Sequence, residues 1–570
     1  MRSHEDHATL EYRATLLQLM EADARHILEV GCGDGSLARL YKQIAPDCHY
    51  VGVERHLETA RSAARHLDRV VVGAVESLDL QQFGLEPGTI DSIIYNRVFE
   101  DATDPKELLQ RHGAWLKPGG TIVASFPNVQ YWQTLRSLLR GRWGDDSALA
   151  RGYRQWFSLD RIREMFAGAG LHLCDVVKLE NGDGDSEEFQ QQLSEFVQAL
   201  PLDGDRAVCD TATSEYVVRA VASMAPPRQL LIQTLLLSTI ASDRVRVYQP
   251  DLLSRTIPGV RTISQVKAAD LSVGRPGEDK VFVWQRDRWT LSHAIAVQQP
   301  LLSLGYLTVA EIDDDPRFWA EHVNNNFILF RSCHCIQTST DPLAEFLRQF
   351  NPYVRVFPNQ LPVLPPPRTY QDDLPVTLFF GALNREADWA EIMPALNRVL
   401  ARCERRVCVR VIYDRAFFEA LETPHKTFEP LCTYERYHQI LHQCDVAILP
   451  LLPTQFNQMK SDLKWLECAG HGVAVLASPT VYDRSIVEGK TGSIYRSTTE
   501  FAFKLHQLIE RGDVRRSIAA NAYQWVKENR LLCGHYRQRY HWYLEMRDRL
   551  PLLTAALRDR VPELFNASSG

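Results

Sequence analysis

Two stretches of this chain carry residue types and spacings suited to holding a nucleoside. The first reads Glu29-Val30-Gly31-Cys32-Gly33-Asp34-Gly35-Ser36, three alternating glycines between an apolar run and a stretch of helical composition. A strand that turns at once into a helix needs glycine where the backbone bends sharply or a ligand approaches it. The dinucleotide fingerprint places its third glycine three residues after the second; here that position is Ser36. Glu54 closes a second apolar run, and a carboxylate about 20 residues past such glycines can accept both ribose hydroxyls of a nucleoside. The second stretch runs from Lys460 to Ser478. Lys460 and Lys464 are spaced for one helix face. Ser461 is expected to open that helix, whose N-terminus favours phosphate. Glu467, two turns past Lys460, shares the face and can hold ribose hydroxyls while the lysines neutralise a diphosphate.

The surrounding elements must position these groups. Apolar runs at 27–30, 49–54, 69–73, 89–95 and 121–126 read as strands with helical stretches between them, and 171–179 with 214–222 as a closing hairpin across an inserted helix, 186–200. The loop 181–185 is acidic and glycine-rich. Pro226-Pro227 marks a boundary. Strand signals follow at 245–248, 281–284, 306–312, 333–338 and 354–357, with helices at 289–303 and 341–350. After a proline-rich connector, 358–375, a further set begins at 376–380, 406–413, 446–449 and 473–477. Alternating strands and helices predict parallel sheets with covering helices. The segment 514–549 reads as helical, with a loose end at 566–570.

The 570 residues suggest about three or four domain-sized units. A net charge of −7 argues against a nucleic-acid-binding surface. Residues 1–7 are polar, so no secretory leader is expected. The apolar run 230–241 is too short to span a bilayer. The twelve cysteines form no repeating pattern, and Cys333-His334-Cys335 lacks a second ligand pair, so reduced thiols and no metal are expected.

The Gly31–Gly35 turn behind Glu29, the acid Glu54, and Lys117-Pro118-Gly119-Gly120 before a strand resemble the class I S-adenosylmethionine-dependent methyltransferases. The resemblance implies a Rossmann-like domain over 1–225 that binds S-adenosylmethionine through Glu29, Gly31, Gly33, Gly35, Glu54, Val75, Glu76 and Asn96. Many relatives carry aspartate at the position of Ala74. Relatives that methylate small hydroxyl compounds often have histidine where this chain has Asp101, and another where it has Tyr153. Asp101 is therefore the candidate base, with Tyr153 beside it in the lid segment. Tyr131, Trp132, Trp143, Tyr153, Trp156 and Phe157 form either a lid over a sugar or a packed cap.

The stretches Glu311-Ile312-Asp313-Asp314-Asp315, Val356-Phe357-Pro358-Asn359, Lys460–Ser478 and Glu488-Gly489-Lys490-Thr491-Gly492 resemble GT-B glycosyltransferases of the family-4 type. The resemblance implies an acceptor half over 226–370 and a nucleotide-sugar donor half over 371–570, with the helical segment 514–549 returning to the acceptor half. Gly381 would end the strand before a phosphate loop, with Arg385 toward donor phosphate and Asp388 toward the acceptor. Lys460, Ser461, Lys464 and Glu467 would bind the nucleotide-sugar. Met459 stands where the family often has a second glutamate. Asp313 to Asp315 contain either a base or a solvated strand end. The expected fold class is α/β: a methyltransferase sheet followed by a two-half GT-B enzyme. The two resemblances imply a bifunctional enzyme of surface polysaccharide biosynthesis. It would act on a glycan or lipid-linked glycan in the cytoplasm, with peripheral contact to the inner membrane face or to assembly proteins. The alternative is a glycosyltransferase whose methyltransferase-like domain only binds S-adenosylmethionine or a partner.

Overall fold

The structure is a computed structural model that describes residues 2–566 apart from 78–80, 82–84, 142–152, 181–188, 195–209, 224, 238–240 and 371–374. Trp143, the loop 181–185 and residues 567–570 lie outside the described residues. Of the expected helix 186–200, only 189–194 are described, as helix. The chain forms two compact units: 1–229 with 252–261, and 230–251 with 262–570. The first unit thus extends past the Pro226-Pro227 boundary and takes in a later segment. Arg219, wholly buried, explains this. Its guanidinium is paired with Asp175 and donates to the carbonyls of Arg255, Thr256 and Ile257.

The first unit is built on β1 (His26–Val30), β2 (His49–Glu54), β3 (Arg69–Val72), β4 (Ile90–Tyr95), β5 (Leu116–Pro127), β6 (His172–Glu180) and β7 (Thr213–Val221). Their order is β3-β2-β1-β4-β5-β7-β6. β1 pairs in parallel with β2 and β4, and β7 runs antiparallel to β5 and β6. Every residue of β4 is buried, as expected of a strand covered on both faces. The helix Arg2–Leu19, which no sequence signal marked, precedes the sheet. The order reverses between β1 and β4.

The second unit holds two six-stranded sheets. The first comprises β8 (Leu230–Leu236), β9 (Val260–Val266), β10 (Asp279–Gln285), β11 (Leu307–Ile312), β12 (Cys335–Thr338) and β13 (Val354–Val356), ordered β13-β12-β11-β10-β8-β9. The second comprises β14 (Val376–Gly381), β15 (Val407–Ile412), β16 (Lys426–Glu429), β17 (Val446–Leu449), β18 (Ala474–Ala477) and β19 (Ser493–Ile494), ordered β16-β15-β14-β17-β18-β19. The reversals fall between β8 and β10, and between β14 and β17. Both pairs are parallel, so their carboxyl ends open to the same side.

The strand expected at 245–248 is instead a helical turn, Arg244–Tyr248, with the Asp243 carboxylate accepting from the Arg244 N–H at 2.7 Å. Val245, Arg246 and Val247 are all buried, so their apolar alternation does not mark a two-faced strand. The first strand of this sheet is β8, within the run 230–241. Of the expected segment 514–549, the helix Tyr536–Asp548 returns to this sheet, followed by Leu550–Arg560, whereas Gly512–Asn529 packs on the β14–β19 sheet, with Ile518, Ala519, Ala522 and Val526 in its cores. The Tyr543 hydroxyl donates to Gln337 (2.7 Å) and Arg547 to Asp279 (3.1 Å). Leu557, Val561 and Leu564 join a core with Phe282 and Ile336.

Candidate active sites

In open α/β sheets, ligands bind beyond the carboxyl ends of the strands where strand order reverses. A cavity of about 210 Å³ occupies that place between β1 and β4. Val30 lines it from β1 and Gly31 from the turn after it, Val53 and Glu54 from β2, and Asn96, Arg97, Val98 and Asp101 from the segment after β4. Gly31 has φ +77°, and a Cβ there would sit 2.5 Å from the Asn96 carbonyl oxygen. The Glu54 carboxylate is fixed at the rim by the N–H groups of Gly33 (3.0 Å) and His56 (2.9 Å). Gly35, also left-handed, packs its open side against Leu67 and Ala63.

Four of the expected cofactor residues reach this cavity: Gly31, Glu54, Val75 and Asn96. Gly33 contributes its amide to Glu54, and Gly35 serves helix packing. Glu29 is wholly buried and does not line the cavity. It accepts from Tyr50 (3.0 Å) and from Asn96 Nδ2 (3.2 Å), and burial pushes its carboxyl up to about 8. Glu29 therefore sits behind Asn96 and positions it. Glu76 also lies outside the lining, and its carbonyl accepts from Arg111 at 3.0 Å.

Asp101 lines the cavity and faces Arg55 at 3.4 Å. The N–H groups of Arg154 and Gln155 donate to the Glu100 carbonyl, which draws the Tyr153 segment to the same side. Tyr153 packs against Trp156 at 5.8 Å. Tyr131, Trp132 and Phe157 are buried, and Phe157 packs on Phe126, so they form a packed cap. Sequence reasoning missed three groups here. Glu100 is buried beside Asp101, its carboxyl pushed up to about 7 by burial. Arg97 adopts φ +54° and pairs with Glu215 at 3.1 Å. Tyr12 donates to Asn96 Oδ1 at 2.6 Å from the unforeseen first helix. A positive φ on a non-glycine residue was the one signal, and it is invisible in sequence.

A second cavity of about 210 Å³ lies at the reversal between β14 and β17. Gly381, Arg385, Lys460, Ser461 and Lys464 all line it, together with Arg286, Asp313 and Asp314 from beyond β10 and β11. Lys464 Nζ donates to the Gly381 carbonyl at 2.5 Å, and burial lowers the pKa of its ammonium. Arg385 donates to Asp388 (3.2 Å) and Asn457 (2.9 Å). Asp314 pairs with Lys460 (2.8 Å) and Arg286 (2.9 Å). Burial pushes Asp314 up, but these cations hold it below its ordinary range. Burial raises Asp313, against the pull of Arg286. Asp313 is thus the carboxylate of the pair better able to take a proton. Asp315 caps the turn Pro316–Phe318 and grips Arg317.

The helix of this site begins at Leu463, with Asp462 at its N-cap. Asp462 is held there by Arg530 (2.9 Å) and Ser485 (2.6 Å). Lys460 and Ser461 therefore lie in the loop before the helix, and the expected shared face of Lys460 and Glu467 does not exist. Ser461 Oγ accepts from Asn359 Nδ2 at 2.8 Å. Glu467 does not line the cavity. Its two oxygens accept the hydroxyls of Tyr434 and Tyr437, each at 3.0 Å. Asp388 is also a scaffold residue rather than an acceptor contact; it receives the Leu452 N–H and Asn457 Nδ2.

Residues 1–176 match the family described as "Methyltransferase domain", and residues 409–544 match "Glycosyl transferase-like". The ubiquinone biosynthesis O-methyltransferase of Xanthomonas euvesicatoria is 34% identical over 128 residues, covering 21% of this chain and 48% of that protein. The chain thus spans about half the length of that curated relative. A probable S-adenosylmethionine-dependent methyltransferase of Mycolicibacterium smegmatis is 22% identical over 35% of this chain and 71% of its own length. Among solved structures, Anabaena Alr3699/HepE in complex with UDP and glucose aligns over 56% of this chain and 100% of its own, at 14% identity and a TM-score of 0.40. No helix among the described residues is long and apolar enough to cross a membrane.

Proposed function

Because the chain joins a methyltransferase domain to a glycosyltransferase-like domain, we propose that it is a bifunctional enzyme of surface polysaccharide assembly. It transfers a sugar from a nucleotide-sugar and a methyl group to a glycan hydroxyl. The observation that carries this reading is the pair of cavities at strand-order reversals, one with the Glu54 carboxylate fixed at its rim and the other lined by four cations. The first cavity's lining suits S-adenosylmethionine: a fixed Glu54 carboxylate at the rim, the side chain of Val75 for an adenine face, and a glycine turn that leaves the backbone open. That cofactor, when bound, supplies the methyl group from its sulfonium. Glu54 would hold the ribose hydroxyls, Asn96 would be oriented by Glu29 and Tyr12, and Asp101 would accept the proton of the acceptor hydroxyl. In the second cavity Lys464, Arg385 and Lys460 would neutralise the donor diphosphate, and Asp313 would take the proton of the incoming hydroxyl.

Thermal unfolding of the full chain tests this reading. A ligand at a hundredfold over its dissociation constant stabilises the folded state by about 2.7 kcal/mol. S-adenosylhomocysteine should raise the transition of the first unit and uridine or guanosine diphosphate that of the second. NADH outdoing S-adenosylhomocysteine would sink the methyltransferase reading. Glu54→Ala should cost about 1.5–3 kcal/mol of S-adenosylhomocysteine binding, read by titration calorimetry, because it removes charge-assisted hydrogen bonds. Lys464→Met should weaken nucleoside diphosphate binding roughly ten- to a hundredfold for the same reason. Equal affinities in wild type and the Lys464 variant would remove this lysine from the donor site.

A further inference from the structure

A group of three potential metal ligands lies apart from both cavities. Cys403, His506 and Glu510 each present one donor atom, and the three atoms lie within 4.8 Å of one another. None of the three residues lines either cavity. Cys403 is the last residue of the helix Met393–Cys403, and Glu510 the last of the helix Thr498–Glu510. Two helix C-termini therefore meet here, and their unpaired carbonyls favour a cation. His506 and Glu510 stand four residues apart on one helix face, with His506 Nε2 3.9 Å from Glu510 Oε1. The Cys403 thiol closes the triangle from the core, which it shares with Leu505 and Ile509. Cys403 is 1% exposed, whereas the His506 and Glu510 side chains are 46% and 32% exposed, so the group has a solvent side through which an ion can enter. The ligands come from two distant segments, so no local spacing marks them.

A thiol, an imidazole and a carboxylate at this separation suit a zinc-class ion. Zinc takes sulfur, nitrogen and oxygen ligands in a tetrahedron, and bonds of about 2.0–2.3 Å place such donors about 3.3–3.6 Å apart. Small rotamer adjustments bring the 3.9 Å separation to that spacing. A hard cation would not select a thiol. We infer that Cys403, His506 and Glu510 bind one zinc ion, with a fourth position left to water, and that the ion clips the two helix ends together. The thiolate and the carboxylate offset its two charges, and the thiol proton leaves to solvent on binding. Burial raises the Cys403 thiol, while Arg406 and Arg402 favour its thiolate. Arg406 also pairs with Glu510 at 2.8 Å, and its side chain is 60% exposed. Exposed pairs of this kind are weak, so a divalent ion displaces the guanidinium at little cost. The inference rests on neither proposed activity.

Titration of the full chain with cobalt(II), after a chelator has stripped it of metal, tests the inference, because a thiolate–cobalt bond gives an absorption band of its own. A single equivalent of cobalt is expected to develop that band, and a single equivalent of zinc to bleach it. Cys403→Ser should abolish the band. His506→Asn and Glu510→Gln, at solvent-facing positions, should each weaken cobalt binding at least roughly tenfold, since even outer-sphere partners of metal ligands cost about 10–100-fold when lost. Zinc should also raise the thermal transition of the wild-type second unit more than that of the His506→Asn, Glu510→Gln double variant. Should Cys403→Ser fail to fold, the two solvent-facing variants decide alone. A chain that develops no thiolate band, a band that survives Cys403→Ser, or solvent-facing variants that bind cobalt like wild type would each overturn the inference.

Discussion

Lowering the pH from 7 to 5 is expected to destabilise the second unit by several kcal/mol while leaving the first at least as stable. His322, His334 and His471 are buried in the second unit. Burial lowers His322 to about 4 and His334 and His471 to about 3; neighbouring cations add to the effect at His322 and His334, and His438 and His442 add to it at His471. A histidine with a depressed folded pKa binds its proton more weakly when folded than when unfolded. Its contribution is intact above the ordinary value of about 6.5 and is lost as pH falls toward the folded value. Between pH 7 and 5 each such group removes about 2 kcal/mol, so three remove about 6 kcal/mol. The raised Asp313 offsets part of this. His334 shows the cause in atoms: its Nδ1 accepts the Thr308 N–H at 3.0 Å, and a proton there breaks that bond.

The first unit responds with the opposite sign. His112, lowered to about 4, loses about 2 kcal/mol over the same range. Glu29 and Glu100, raised to about 8 and about 7 by burial, bind protons more tightly when folded and together gain about 4–5 kcal/mol. Calorimetric scans at pH 7 and 5 should therefore show one transition falling and the other holding or rising. His334→Gln, which keeps an acceptor but does not titrate, should recover about a third of the loss. Two transitions that fall in parallel would refute this account.

Asp101→Asn is expected to lower methyl transfer about 10²–10⁴-fold, the range for removing a general base. The amide keeps the shape of the side chain and the cavity wall, so S-adenosylhomocysteine affinity should change less than about twofold. The measurement is single-turnover formation of S-adenosylhomocysteine with a hydroxyl acceptor that the wild type methylates, across pH 5–9. Glu100 provides the internal control. It is buried next to Asp101 and pushed up to about 7, so it takes up a proton near neutrality. Equal rates for wild type and Asp101→Asn, with a large loss in Glu100→Gln, would move the base by one residue.

Much of the fold was legible because its strands are covered on both faces and read as apolar runs, as β1, β2, β4 and β17 do. The glycines and Glu54 were legible because a turn without Cβ and an acid at a strand end leave marks in spacing. The misreadings share a cause. Residues 245–248 alternate apolar and polar, but Arg246 is buried against Glu311 at 2.7 Å, so alternation did not report exposure. Lys460 and Glu467 were placed on one helix face by counting. The helix begins only at Leu463, because Arg530 and Ser485 fix Asp462, and those partners are distant in sequence. Glu29 and Asp388 have the residue type of ligand contacts but serve as scaffolding, a distinction set by burial. Arg97 and Arg286 were invisible, since nothing local predicts a positive φ on a charged residue.

The return of the last helices to the β8–β13 sheet has a consequence for synthesis. Leu557, Val561 and Leu564 complete a core whose last strand, β13, ends at Val356. About 200 residues separate that strand from the helix Leu550–Arg560. At about 5–20 residues per second, the sheet waits roughly 10–40 s on the ribosome before those residues exist. The β14–β19 sheet, whose cores draw on residues up to Leu531, completes during that wait. Of these two sheets, the one that emerges first is therefore the last to close, and through that interval the apolar surface that Leu557, Val561 and Leu564 cover stays open.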